Sequence, residues 1–240
     1  MEDDSGPVLA AIRAAFGTST RLSGLAPDLV VTDPDGWHRA ADLTGAGIGL
    51  LAAAGQRHWP GPPHVAAALS WKAYSSWLAV PVAFTWVAAH RVARVAASDV
   101  LVRFDARPAP ICLGLSRAGL ESGPPADEAT LRRVLLDEHV DPLLDAVQRT
   151  VRLSRRLLLG SLAAGIAHAT RHAVRVVPGA SPDAVGTLLA ALGVDQLVEW
   201  AADPVGQITV RRRTCCLAFT LPEPRFCTDC CYSAPQRARV

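Results

Sequence analysis

The stretch Arg211-Arg-Arg-Thr-Cys-Cys-Leu-Ala-Phe-Thr-Leu-Pro-Glu-Pro-Arg-Phe-Cys-Thr-Asp-Cys-Cys-Tyr232 holds five of the six cysteines of a 240-residue chain. The five are Cys215, Cys216, Cys227, Cys230 and Cys231. The sixth, Cys112, lies far upstream, and we predict it to be a small core residue. Cysteines that only fill a core are usually scattered, whereas ligands of one metal site recur at short spacing. The stretch therefore predicts a metal site built from thiolates.

Disulfides explain this stretch less well than metal binding does. They belong mainly to oxidising compartments and to small secreted domains. Residues 1–7, with the sequence MEDDSGP, contain neither the basic start nor the apolar core of an export signal. We therefore expect a cytoplasmic protein whose thiols stay reduced.

The spacing of the cysteines has to separate zinc from iron–sulfur, because both take thiolate ligands. Structural zinc sites usually combine knuckles in which two or more residues separate the thiolates. Cys227 and Cys230 have that spacing, but Cys215 and Cys216 are adjacent. Adjacent residues reach one tetrahedral ion with difficulty, whereas they can reach a wider cluster with two metals. The spacing favours a [2Fe–2S] cluster, which needs four thiolates, and leaves zinc as the alternative.

The full pattern Cys-Cys-x10-Cys-x2-Cys resembles the C-terminal motif of the ferric-siderophore reductase family (FhuF-like). The residues that carry the resemblance are Arg212, Arg213, Cys215, Cys216, Leu217, Phe219, Cys227, Asp229 and Cys230. The resemblance implies a [2Fe–2S] cluster with Cys215, Cys216, Cys227 and Cys230 as its ligands. Cys231 offers a second spacing from Cys227 and is the alternative fourth ligand.

The resemblance also implies a function. It implies an oxidoreductase that transfers one electron to ferric iron in a siderophore, of the hydroxamate type, and so releases Fe(II) in the cytoplasm. The implied partners are the ferric siderophore and an electron donor such as a ferredoxin or a flavoprotein. Hard oxygen chelators hold Fe(III) more firmly than Fe(II), so reduction alone releases the metal. This agrees with a sequence that shows no catalytic triad, paired carboxylates or phosphate loop.

Three other functions remain open. The chain is alternatively an iron–sulfur electron carrier or redox sensor with no siderophore substrate. It is alternatively a zinc-stabilised helical interaction protein. A role in siderophore assembly is the weakest of the three, because the sequence carries no nucleotide-binding signature.

The arginines at the start of the stretch predict a role in cluster electrostatics. Arg211, Arg212 and Arg213 precede the first cysteine directly. Nearby cations offset the negative charge of a thiolate-ligated cluster and favour its reduction. The formal net charge of the whole chain is only +2, which is too small to indicate nucleic-acid binding.

Composition and periodicity predict a mainly α fold with a small antiparallel β element. Hydrophobic residues make up 50% of the chain, enough for a substantial core. We expect residues 1–205 to form a helical body with a small mid-chain sheet. Residues 206–240 are expected to form the segment that binds the [2Fe–2S] cluster.

Periodicity and turn signals place the individual elements. Helices are predicted at residues 7–16, 40–55, 64–78, 81–90, 130–140, 142–150, 153–172 and 181–200. Strands are predicted at residues 92–95, 100–104, 110–115 and 207–210. No uninterrupted apolar run reaches the ~18–20 residues of a membrane span, so no integral membrane segment is expected.

Two side-chain patterns in the helical body are candidate sites. Trp71, Tyr74 and Trp77 share one helical face, which is typical of a core but would also suit a pocket for a bulky ferric chelate. We place the substrate pocket there as a hypothesis. His168 and His172 are four residues apart, as in some metal sites, but a third ligand is not evident.

Overall fold

The computed structural model describes residues 6–17, 23–104, 109–116 and 123–232. The helices are α1 (Gly6–Phe16), α2 (Ile48–His58), α3 (Pro63–Ala89), α4 (Glu128–Arg132), α5 (Asp141–Thr150), α6 (Arg155–Val176) and α7 (Ala184–Ala191). The strands are β1 (Leu25–Val30), β2 (His38–Arg39), β3 (Val100–Phe104), β4 (Ile111–Leu115), β5 (Val198–Ala202) and β6 (Ile208–Arg212). A π-helical segment, Arg133–Val140, joins α4 to α5. The predicted fold class, mainly α with a small β element, is confirmed.

The long helices α3 and α6 pack against each other at the centre of the molecule. Ser154 precedes α6, and its side chain caps the helix by accepting a hydrogen bond from the Leu157 N–H group. A Cβ atom on Gly165 would lie 3.1 Å from the Ser75 carbonyl oxygen of α3. The small residues of α6 therefore allow the close helix contact that the sequence predicts.

Pro81 does not begin a new helix, contrary to the sequence-based prediction. It lies buried inside α3, which runs unbroken to Ala89 and is apolar around most of its circumference. Proline removes one hydrogen-bond donor and usually breaks a helix. Here the packing of a helix buried on most of its faces outweighs that loss.

A four-stranded sheet with the order β1-β4-β3-β2 covers one part of the body. The antiparallel pairing of β3 with β4, from Val100 opposite Leu115 to Phe104 opposite Ile111, confirms the predicted strands. Residues 92–95 do not form a strand, and only an isolated bridge from Arg91 to Pro125 occurs nearby. β1, in a segment that the sequence marks as turn-rich, pairs parallel with β4.

An antiparallel hairpin of β5 and β6 leads into the cysteine stretch. The predicted strand at 207–210 is confirmed as β6, but the predicted helix at 181–200 is too long. α7 ends at Ala191, and Gly193 follows with a φ of 64°, a value that favours glycine and ends the helix. The hairpin lies against α6, so residues 213–232 return to the helical body. Residues 233–240 of the predicted cluster segment lie outside the described residues.

None of the helices in the described ranges combines the length and the hydropathy that a membrane crossing requires.

Candidate metal centre

The five cysteines of the C-terminal stretch, called the thiol site below, follow β6 in one irregular segment. All are free thiols, of which Cys216 and Cys230 are buried and the other three are half-buried. The segment lies against α3, where Val65 and Leu69 form a small apolar cluster with Cys216. The structure thus brings the predicted ligands together next to a helix that is distant in sequence.

Cys216 and Cys227 form the inner part of the thiol site, with their Sγ atoms 3.2 Å apart. The hydrogen bond from Cys227, together with the positive charges of Lys72 and Arg212, lowers the pKa of Cys216 to about 6. The pKa of Cys227 is raised, because losing its proton would break this bond and bring two negative charges together. The Cys216 thiol therefore loses its proton more readily than an ordinary thiol, and Cys227 loses its proton less readily.

Lys72 on α3 supplies the cation beside this pair. Its Nζ atom lies 2.7 Å from the Cys227 sulfur and 3.9 Å from the Cys216 sulfur. An ammonium group at this distance stabilises thiolates electrostatically and by hydrogen bonding. Lys72 is the only lysine in the chain, and sequence reasoning assigned it no role. The one signal was its position in an otherwise apolar helix.

Cys215, Cys230 and Cys231 form the outer part of the thiol site. Burial, followed by the neighbouring Cys230, raises the pKa of Cys231, and Cys215 also lies beside it. The Leu217 N–H group donates to the Cys215 sulfur at 3.2 Å. Burial, followed by the charge of Cys231, raises the pKa of Cys215. Burial therefore disfavours the thiolate form of Cys215 and Cys231, and both would lose their protons on binding a metal.

Asp229, between the last cysteines, anchors the segment to α6. Its Oδ2 atom accepts hydrogen bonds from Arg212 Nε at 3.1 Å and from His168 Nε2 at 3.0 Å. Burial alone would raise the pKa of Asp229, but the His168 bond and the Arg212 charge outweigh it and lower the pKa to about 2. The backbone N–H group of Arg212 also donates to the backbone carbonyl oxygen of Asp229 at 3.0 Å. These bonds fix the chain between Cys227 and Cys230.

The histidine pair of α6 does not form a metal site. His168 is held by Asp229, and His172 packs on the Phe16 ring with 4.9 Å between the ring centroids. The metal-site interpretation of this pair is therefore wrong. Of the two histidines, His168 is the one that contacts the cysteine stretch, where it orients the Asp229 carboxylate. The two residues lie 61 positions apart in sequence.

The three arginines before the first cysteine have different surroundings. Arg212 is buried, 3% exposed, and lies close enough to lower the pKa of Cys216. Arg213 is exposed and pairs with Glu199 at 3.2 Å. Arg211 lies 3.8 Å from Glu199 and also donates to the Cys231 carbonyl oxygen at 3.4 Å. The prediction of cluster electrostatics thus fits Arg212, whereas Arg211 and Arg213 share the single carboxylate of Glu199.

Three buried polar atoms next to the cysteine stretch have no hydrogen-bond partner within the described part of the chain: Ser161 Oγ, Thr214 Oγ1 and Arg212 Nη1. They come from α6, from β6 and from the residue before Cys215. Buried donors without partners are uncommon and need an explanation. These donors would suit a negatively charged, thiolate-ligated group bound beside them.

The donor chemistry of the thiol site fits an iron–sulfur cluster. No three His, Cys, Asp or Glu side chains in the described ranges already surround a single metal position. The 3.2 Å between the Cys216 and Cys227 sulfurs is shorter than the roughly 3.8 Å that two thiolates need on one tetrahedral ion with metal–sulfur bonds of about 2.3 Å. Binding a metal between these two sulfurs would therefore require them to move apart.

The aromatic face of α3 is core and does not form the predicted pocket. Trp71 and Tyr74 are both 0% exposed. Trp71 Nε1 donates to the Leu158 carbonyl oxygen at 2.8 Å, and the Tyr74 hydroxyl lies 2.5 Å from His139 Nε2. Trp77 is half-buried against Gly24. The substrate-pocket hypothesis is therefore wrong for Trp71 and Tyr74, because α6 and the π-helical segment cover this face of α3. Cys112 is buried in β4, as predicted.

No protein-family model matches the chain, and no curated protein matches it significantly. The cysteine motif and the side chains that the structure places around it are therefore the features that indicate a function.

Proposed function

We propose that this protein holds a [2Fe–2S] cluster and transfers one electron to ferric iron in a siderophore chelate. The observation that carries the proposal is the convergence of five thiols beside the cations Lys72 and Arg212. Cys215, Cys216, Cys227 and Cys230 would hold the cluster. The siderophore, and its hydroxamate type, come from the resemblance of the cysteine motif.

When bound, a [2Fe–2S] cluster supplies reversible one-electron transfer. The chain's own residues would set how readily the site accepts an electron. Lys72 donates to the Cys227 sulfur, and Arg212, held in place by Asp229, lies near Cys216. Both cations oppose negative charge that increases on reduction, so both favour the reduced state.

The five thiols differ in their access to solvent. Val65, Leu69 and Leu221 form an apolar cluster with the buried Cys216, and the half-buried Cys227 packs against it. Cys215 and Cys231 are half-buried, and the exposed Tyr232 directly follows Cys231. The outer side is thus where a donor such as a ferredoxin or a flavoprotein would approach.

The reaction requires no proton transfer by the protein. One electron converts Fe(III) in the chelate to Fe(II), and the hard oxygen ligands then hold the metal less firmly. The external donor supplies the electron, and the chelating ligand is recovered unchanged. A reducing compartment, which we propose to be the cytoplasm, would keep the thiols competent.

Single-turnover reduction tests this function. The cluster is reduced anaerobically with dithionite, and excess reductant is removed. A ferric trihydroxamate and a ferric tricatecholate are then added in separate reactions, each together with a ferrous-selective chromophore. We expect one Fe(II) for each cluster oxidised, with Cys112→Ser behaving as the wild type. Oxidation of the cluster without Fe(II) formation, or no oxidation at all, would contradict the proposal.

An iron–sulfur electron carrier or redox sensor is the second candidate. The burial of Trp71 and Tyr74 favours it, because it removes the chelate pocket expected on α3. A cluster that exchanges electrons with a reduced ferredoxin but with no ferric chelate would identify this function.

A further inference from the structure

A cavity of about 660 Å³ lies between the C-terminal half of α6 and the turn of the β5–β6 hairpin. Its lining includes Arg171, His172 and Arg175 from α6 and Val205 and Gln207 from the turn. The volume falls within the range of ligand pockets. It is large enough for a metal chelate of siderophore size.

The cavity has a positive charge that no lining residue compensates. Arg171 and Arg175 are four residues apart and so lie on the same face of α6. Neither forms an ion pair with any residue in the described ranges, and no carboxylate is among the lining residues. Arg175 Nη2 donates a hydrogen bond to the Ala15 carbonyl oxygen at 3.4 Å, which leaves its positive charge unpaired. Burial, together with these two arginines, lowers the pKa of His172 to about 4, so His172 adds no charge at neutral pH.

The carboxylates nearest to the cavity in sequence, Asp203 and Asp183, form hydrogen bonds within their own turns. Asp203 accepts the backbone N–H groups of Val205 and Gln207 at 3.0 and 2.7 Å. Asp183 is bonded to Ser181 at 3.1 Å. Two like charges on one helix face disfavour each other, so an anion bound between them would relieve their repulsion.

The cavity lies close to the thiol site along α6. His168, one turn before Arg171 and His172, is the residue that bonds Asp229 between the last cysteines. One helical turn advances about 5.4 Å. An iron bound in the cavity would therefore lie within a short distance of a cluster at the thiol site, with His168 and Asp229 between them.

We propose that this cavity binds a ferric chelate of net negative charge, one whose carboxylate or catecholate oxygens meet Arg171 and Arg175. The inference rests on the proposed function but changes its chelate class: the cysteine motif implies a hydroxamate, whereas the two arginines favour an anionic chelate. Three hydroxamates neutralise Fe(III), whereas three catecholates leave an overall charge of −3. The cavity thus selects catecholate chelates, or hydroxamates that carry additional carboxylates, over a plain neutral trihydroxamate. In the step itself Fe(III) gains one electron from the reduced cluster, which is oxidised by one electron and is then reduced again by the external donor.

Binding of gallium chelates to the full-length protein tests the inference without electron transfer, because Ga(III) has the charge of Fe(III) but is not reduced. We expect Ga(III) tricatecholate to bind more tightly than Ga(III) trihydroxamate, with an affinity that falls as salt is added. Arg171→Gln and Arg175→Gln should each weaken tricatecholate binding about fivefold, as for the loss of one partly exposed ion pair. Arg152→Gln, at an exposed position outside the cavity, is the matched control. Val205→Trp, at an 87% exposed lining residue, should also weaken binding by narrowing the cavity.

Equal binding of the neutral and anionic chelates, or unchanged binding in both arginine variants, would overturn the inference. The outcomes separate it from the proposed function. Anionic chelate bound by a protein that never acquires a cluster would refute the electron transfer and leave the cavity assignment standing. A loaded protein whose Arg171 and Arg175 variants reduce anionic ferric chelates at the wild-type rate would refute the cavity and leave the reductase standing.

Discussion

Lys72 is the side chain whose substitution is most informative about electrostatics at the thiol site, since its ammonium lies 2.7 Å from the Cys227 sulfur. Lys72→Met removes a cation that favours the reduced, more negative state. We expect the reduction potential to fall by some tens of millivolts, the order expected for a screened charge at this distance. Lys72→Arg keeps the charge and should shift the potential less. Redox titration of the loaded variants measures both, and an unchanged potential in Lys72→Met would show that the ammonium does not act on a cluster.

The identity of the fourth ligand is a second question for single residues. Cys230 is buried, 7% exposed, and lies after the anchored Asp229, whereas Cys231 is half-buried. We expect Cys230→Ser to lose the visible absorption of the cluster and Cys231→Ser to retain it. Cys112→Ser, in the distant sheet, is the control. A fully coloured Cys230→Ser protein would move the fourth ligand to Cys231.

His139 connects a buried side chain to pH-dependent stability. It bonds Tyr74 and the Val95 carbonyl oxygen, and burial lowers its pKa from 6.5 to about 4. Between pH 6.5 and 4 the unfolded chain therefore binds more protons than the folded one, so the free energy of unfolding decreases as the pH falls through this range. His172, whose pKa is also lowered to about 4, acts in the same direction.

Urea unfolding at several pH values between 4 and 7 measures this dependence. We expect His139→Gln to have a lower stability at pH 7 and a shallower loss on acidification than the wild type. Both proteins keep the same thiol site, so its own pH dependence cancels in the comparison. An identical slope in the two proteins would mean that His139 is not a buried neutral group.

At the scale of elements, the contact between α6 and the residue before Cys215 determines where the cysteines lie. A Cβ atom on Gly160 would lie only 1.9 Å from Thr214 Oγ1. Gly160→Ala should therefore displace Thr214, cost about 1–3 kcal/mol of stability through overpacking, and reduce cluster occupancy. Gly49→Ala in α2, where nothing lies within 4 Å of the added methyl group, is the control. Iron content and thermal unfolding measure the two effects, and full occupancy in Gly160→Ala would contradict this role.

Local sequence signals predict the elements that depend on neighbouring residues. Gly17, with a φ of 74°, ends α1, and Asp127 caps α4 by accepting the Thr130 N–H group at 2.7 Å. The elements that failed depend on distant contacts. β1 is stabilised by parallel pairing with β4, and α3 continues through Pro81 because α6 covers it.

The same division applies to the candidate site. The spacing of the cysteines predicts which residues come together, since all five belong to one short stretch. Lys72 lies 155 residues from Cys227 in sequence, and His168 lies 61 residues from Asp229. No local pattern marks such contacts. Periodicity alone was also insufficient for the aromatic face of α3. It shows that Trp71 and Tyr74 share a helical face, but not whether other elements cover that face.

At the scale of the whole molecule, the helical body and the cysteine stretch act as one unit. α3 contributes Lys72 and the apolar cover of Cys216, and α6 contributes His168 and the close contact at Gly160. The β5–β6 hairpin positions Arg212 between α6 and the cysteine stretch, where it bonds Ser161 and Asp229. Because a bound cluster would hold these elements together, loading should raise the thermal stability of the whole chain and not only of its last residues.

The most direct test of the account is the iron and acid-labile sulfide content of the protein purified without oxygen, taken together with its visible absorption spectrum. The account predicts about two irons and two sulfides per chain, the composition of a [2Fe–2S] cluster, with a red-brown colour that disappears in Cys216→Ser. A colourless protein with one zinc and no sulfide would contradict it.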